Sequence, residues 1–165
     1  MAELTNLESK MAEVLGLAAA SKGAAETVKR MLHDDERELA TVLNRLRDEA
    51  AETEERCTEL AAGFDGKKTA ILEAARETKH EATKMMETYL AGEDEALDGF
   101  EFLTMAEAGE VGHWAIVKEL NERAGIAAVA ELTDWALPLQ EKHLAIVRES
   151  SLQLASKEDP NETAD

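Results

Sequence analysis

The sequence predicts an all-α protein, and three observations carry that expectation. Alanine, leucine, glutamate and lysine dominate its 165 residues, and these unbranched side chains lose little rotamer freedom in a helix. Proline occurs only at 138 and 160, aromatics make up 4% of the chain, and β-branched runs are absent. Apolar residues recur at steps of three and four through most of the length, the period of an amphipathic helix. The length suits one domain with a sizeable core.

Taken in order, the first predicted helix covers 5–20. Thr5 with Glu8 three residues on forms a capping-box pattern, Leu4, Leu7, Met11, Val14, Leu15 and Ala18 form the stripe, and Ser21-Lys22-Gly23 ends it. The second covers 24–62. Its seam reads Val28, Leu32, Asp35, Leu39, Val42, Leu46, Glu49, Thr53, Cys57, Leu60, a heptad pattern interrupted by polar residues. Gly63-Phe64-Asp65-Gly66 breaks the chain before a third helix over 67–91, and Gly92-Glu93-Asp94 turns it into a fourth over 95–123. Ala124-Gly125 is a helix C-terminal stop. The fifth helix, 126–155, is expected to kink or loosen at Pro138, and 156–165 is a polar tail.

Short connections make consecutive helices antiparallel neighbours. At about 1.5 Å per residue the second helix would reach roughly 60 Å and the third only about 37 Å. The expected architecture is therefore an antiparallel four-helix bundle of the last four helices. The first helix is an additional N-terminal element that covers the overhang.

Thirty-six acidic residues against 18 basic ones give a net charge of −18. Such a surface repels phosphate backbones and anionic headgroups, which argues against nucleic acid and membranes as partners. The acidity fits a solvated helical surface, a salty interior, or a field that attracts cations. Nowhere do about 18 apolar residues run together, as a spanning helix needs. The lone Cys57 cannot close an internal disulfide, and no signal-peptide pattern opens the chain, so a cytoplasmic location is expected. No glycine-rich phosphate loop, paired-cysteine zinc pattern or nucleophile elbow is present.

Histidines stand at 33, 80, 113 and 143, and the face each occupies decides its meaning. Glu77 and His80 share ligand-like spacing but project away from the stripe of Ile71, Ala75 and Tyr89, so they read as surface. Asp35 and Glu49 fall within the second helix's seam. On the fourth helix, Leu103, Ala106, Trp114 and Val117 define the buried face; Glu110 projects into its middle, with Glu107 and His113 at the flanks. A glutamate so placed must be protonated, paired with a cation or bound to metal. On the fifth helix, Gln140 and His143 project into the stripe of Val129, Leu132, Ala136, Leu144, Val147 and Leu154. Counted from the Ala124-Gly125 turn, Glu110 lies about fourteen residues back and Gln140 about fifteen forward, so antiparallel packing sets them side by side.

The motifs Glu110-Val111-Gly112-His113 and Gln140-Glu141-Lys142-His143 resemble those of the ferritin-like superfamily, four-helix bundles that hold di-iron or di-manganese centres. The stretch Leu32–Leu39, reading Leu-His-Asp-Asp-Glu-Arg-Glu-Leu, is similar to an early helix of the bacterial stress-associated branch. The resemblance implies metal ligands at Glu110, His113, Gln140 and His143, with Glu49 or Glu36 as a further carboxylate. It also implies iron or manganese as cofactor, and a role in metal handling or oxidative-stress defence. Two departures stand out. The second motif has an amide in place of the carboxylate, which binds hard cations more weakly. The inner face of the third helix offers Thr78 where a fourth carboxylate is expected; Glu49 or Glu107 would have to substitute. The alternative expectation is a non-enzymatic bundle or scaffold in which these residues form a buried hydrogen-bond network. An exposed stretch of the second helix would also favour association of copies into a homo-oligomer.

Overall fold

The computed structural model describes residues 2–163. Among these residues there are five α-helices, one 3-10 turn and no strand: α1 (Asn6–Lys29), the turn Asp34–Glu36, α2 (Leu39–Ala62), α3 (Lys68–Tyr89), α4 (Ala96–Ala124) and α5 (Ala127–Ala155). The all-α expectation holds. No helix among the described residues is long and apolar enough to cross a membrane.

The first correction concerns the boundary between the first two helices. Instead of stopping at Ser21-Lys22-Gly23, α1 runs on to Lys29, and the predicted helix over 24–62 is broken between Arg30 and Glu38. A glycine inside a helix costs about 1 kcal/mol relative to alanine. Burial of Ala24, Ala25 and Val28 just beyond it outweighs that. The break falls instead on His33-Asp34-Asp35-Glu36, where short polar side chains compete for the backbone. There the Glu36 carboxylate accepts a hydrogen bond from the His33 amide at 2.9 Å. Asp35 is consequently an exposed turn residue and not part of any seam.

The second correction concerns which helix is the outsider. α1 packs against α2 and α4, α2 against α5, and α4 against α5, so these four close a ring. α3 lies outside it, against α1 and α2. The additional helix is thus the third, not the N-terminal one. Buried residues explain the division, because each ring helix carries a strict heptad seam. In α1 it is Leu7, Met11, Val14, Ala18, then Ala25 and Val28; in α2, Leu39, Leu43, Leu46, Ala50, Thr53 and Cys57. In α4 it is Phe100, Leu103, Glu107, Glu110, Trp114 and Val117; in α5, Thr133, Ala136, Gln140, His143 and Val147. Helix α3 buries only Ala70, Ile71 and Ala75. It reaches α1 because Gly16 has no side chain: a Cβ there would lie 2.4 Å from the Ala75 carbonyl oxygen.

The core divides into two apolar clusters. One joins the N-terminal half of α1 (Met11, Val14) to the ends of α2 and α4 (Cys57, Trp114) and the start of α5 (Val129). The other joins the end of α1 (Val28) to the starts of α2 and α4 (Leu43, Phe100) and the end of α5 (Leu154). By this placement α1 and α5 run one way between the clusters, and α2 and α4 the other. The turn between α4 and α5 is fixed by Gly125 at φ 68°, and by the Asn121 side chain, which donates to the Ile126 carbonyl at 3.0 Å and accepts from its amide at 3.1 Å. That closure sets the register of the two helices that carry the polar residues. Helix α5 continues unbroken through Pro138.

Candidate functional site: a polar layer between two apolar clusters

Between the two clusters the heptad seams turn polar at one height. α4 contributes Glu107 and Glu110, α5 contributes Gln140 and His143, α2 contributes Glu49 and Thr53, and α1 contributes Ser21. Glu107, Glu110, Gln140 and His143 are each at most 4% exposed. Charges at such depth require partners, since burying one unpaired costs several kcal/mol.

His143 is the hub. Its Nε2 lies 2.6 Å from Glu49 Oε2, and its Nδ1 lies 3.6 Å from Glu107 Oε2. The ring thus has a carboxylate at each nitrogen. Burial works against its charge, but the carboxylates of Glu107 and then Glu49 outweigh burial and raise the imidazole above its ordinary value. Glu49 is held below the ordinary carboxylate range: partial burial opposes this, but Arg45, whose Nε is 2.9 Å away, and His143 together prevail. The amide of Gln140 donates to Glu107.

Glu110 has a different environment. The Ser21 hydroxyl donates to it, and among the described residues no Lys, Arg or His is paired with it. Burial, reinforced by the neighbouring Glu107 charge, pushes its carboxyl well above the ordinary range, partly offset by Ser21. Cys57 lies near enough to feel the Glu110 charge; burial first and that charge second push the thiol up to about 12. It is a small apolar filler, not a nucleophile.

Of the residues singled out in the sequence, Glu110, Gln140, His143 and Glu49 gather in this layer. His113 and Glu36 do not join it. The His113 ring, 36% exposed, turns toward α1, where its Nδ1 lies 3.0 Å from Glu13 Oε2. Glu36 serves as the cap of the turn before α2. Glu77 and His80 are exposed, as their projection indicates. Two members were not anticipated at the centre: Glu107, placed at the flank, and Ser21, taken for a helix terminator. Both occupy heptad positions, four residues after Leu103 and three after Ala18, and that spacing was the available signal.

The donor set does not fit a two-metal centre. The imidazole of His143 stands between Glu49 and Glu107, so one metal cannot take that ring and both carboxylates at once. Gln140 directs a donor, not a lone pair, at Glu107. Among the described residues no group of three His, Cys, Asp or Glu side chains is arranged to hold a metal ion. Each carboxylate of the layer already has a protein donor.

Comparison of the chain with protein-family models, curated proteins and solved structures returns no match.

Proposed function

We propose that this is a non-enzymatic helical-bundle protein, ferritin-like in plan, in which the His143 imidazolium provides the positive charge that a metal pair would supply. One observation carries the reading: His143 offers each ring nitrogen to a different carboxylate, Glu49 on one side and Glu107 on the other. Two carboxylates with one imidazolium between them, an amide donating to one of them, and a Glu110 whose environment favours the neutral acid form a self-contained set. Such a layer specifies which helix faces meet and at what register, the best-attested use of polar groups in a heptad seam. The acidic exterior keeps the bundle soluble and apart from anionic polymers.

Iron or manganese handling, which the sequence resemblance implies, is the reading this proposal displaces, and one experiment separates them. Protein purified without chelator is assayed for metal and melted in manganese(II), in anaerobic iron(II) and in EDTA. The expected result is well under one equivalent of metal and a single melting temperature throughout. One equivalent or more, together with a melting shift that disappears in His143→Ala, would overturn the proposal in favour of a metal protein.

A further inference from the structure

Helices α3 and α4 flank α1 without closing over it, and a cleft of roughly 220 Å³ remains between them. Leu17, Ala20 and Ala24 of α1 form its floor, while Met86 of α3 and Phe102 and Ala106 of α4 form its walls. Its surface is almost wholly apolar; Ser21 of α1, Thr83 of α3, and Glu110 and His113 of α4 are its polar lining residues. Met85 and Met105 also line the cleft and are 63% and 48% exposed.

One feature points to a missing occupant: the Glu110 carboxyl lines the cleft, is 4% exposed, and has the Ser21 hydroxyl but no cationic group as partner among the described residues. Gly109 leaves the cleft wall beside it open, with nothing within 4 Å of where a Cβ would stand. An apolar cavity with a few convergent polar groups at one end is the usual form of a small-molecule site.

We propose that this cleft binds a small cationic amphiphile: an unbranched or flat apolar body along α1, with one primary ammonium head against Glu110 and Ser21. The sign of the head follows from the surroundings. Glu107 lies beside Glu110, Glu13 lies beside His113, and the whole chain carries −18. An anionic head would meet repulsion from all of these, while an ammonium would displace the Glu110 proton to solvent and pair with the carboxylate that remains.

The test is calorimetric titration of the intact chain, in EDTA and moderate salt, with n-octylamine, n-octanol and octanoate. Octylamine is expected to bind saturably at one site, at least tenfold more tightly than octanol, and octanoate not at all. Glu110→Gln, of the same shape, should abolish the preference for amine over octanol while leaving octanol binding in place. Gly109→Leu fills the cleft from its wall and should abolish both; Ala82→Leu does the same from α3, should the first variant unfold. Equal binding of amine and alcohol, tighter binding of octanoate, or amine binding unchanged in Glu110→Gln would each overturn the proposal. The last would show that the amine only coats the acidic surface.

Discussion

Gln140→Glu restores the carboxylate that the resemblance expects and puts the polar layer to its most direct test. In the structure the Gln140 amide donates to Glu107, whose other contact is the His143 ring. The substitution replaces that donor by an acceptor at a position 4% exposed, so two carboxyls face each other in the core. Losing a hydrogen bond to a charged group costs roughly 1.5–3 kcal/mol, and an uncompensated buried charge costs about 3–5 kcal/mol. The introduced group can escape part of this by keeping its proton, so a loss of about 3 kcal/mol at neutral pH is expected. For a chain of this length each kcal/mol moves the melting temperature by about 2–4 °C, which gives a fall of roughly 6–12 °C. Protonation turns the new side chain back into a donor, so much of the loss should return near pH 5. The assay is thermal unfolding followed by circular dichroism at both pH values, with chelator present. A variant that melts with the wild type at neutral pH would refute the argument, because Glu107 would then not depend on the amide.

Three further outcomes follow from the same geometry. Gly16→Ala should destabilise by roughly 1–3 kcal/mol despite the better helix propensity of alanine, because the new methyl meets the Ala75 carbonyl and Thr78 of α3; a more stable variant in urea unfolding would show that α3 is not held there. Stability should peak on the acid side of neutrality. The raised His143 contributes fully below its ordinary 6.5, and that contribution is lost as pH rises through the folded value. Glu110 keeps its proton above the ordinary 4.5, which also lowers stability as pH rises, whereas the lowered Glu49 loses its contribution only as pH falls through its folded value. A melting temperature that climbs steadily from pH 6 to pH 9 would contradict this assignment. Cys57, 2% exposed with its thiol pushed up to about 12, should resist a thiol reagent at neutral pH until the bundle opens; labelling at the rate of a free thiol in native buffer would place it elsewhere.

The helical class, four of the five helix ends and the convergence of Glu110, Gln140 and His143 were legible because each rests on local periodicity. The break between α1 and α2 was not, because a glycine after Ser-Lys reads as a stop more loudly than a heptad reads as continuity. Leu7, Met11, Val14, Ala18, Ser21, Ala25 and Val28 in fact keep the 4-3 spacing straight across Gly23. That single shift moved Ser21 from a turn into the helix beside Glu110 and released His33–Glu36 from a supposed seam. It also explains why Thr78 stood where a fourth carboxylate was sought: α3 is not one of the four ring helices but packs outside them, against α1 and α2. Glu107 was underrated because the buried face was centred on Ala106, whereas the seam passes through Leu103, Glu107 and Glu110.

The amide at 140 also sets the charge balance of the layer. A carboxylate there would leave Glu107 with no donor but the His143 ring, and the layer would carry an excess of negative charge that only a cation from solution could balance. With the amide, Glu107 gains a donor, and His143 is left to balance Glu107 and Glu49 together. The arrangement also fixes alignment. A slip of α5 along α4 by one heptad, about 10 Å, would set Glu107 and Glu110 against Ala136 and Thr133 or against Val147 and Ser150. At least one buried carboxylate would then lack its donor, at several kcal/mol. Apolar seams alone would tolerate that slip far better, since one leucine or valine layer resembles the next. On the proposed reading, the polar layer as it stands is what holds the helices of the ring in one register.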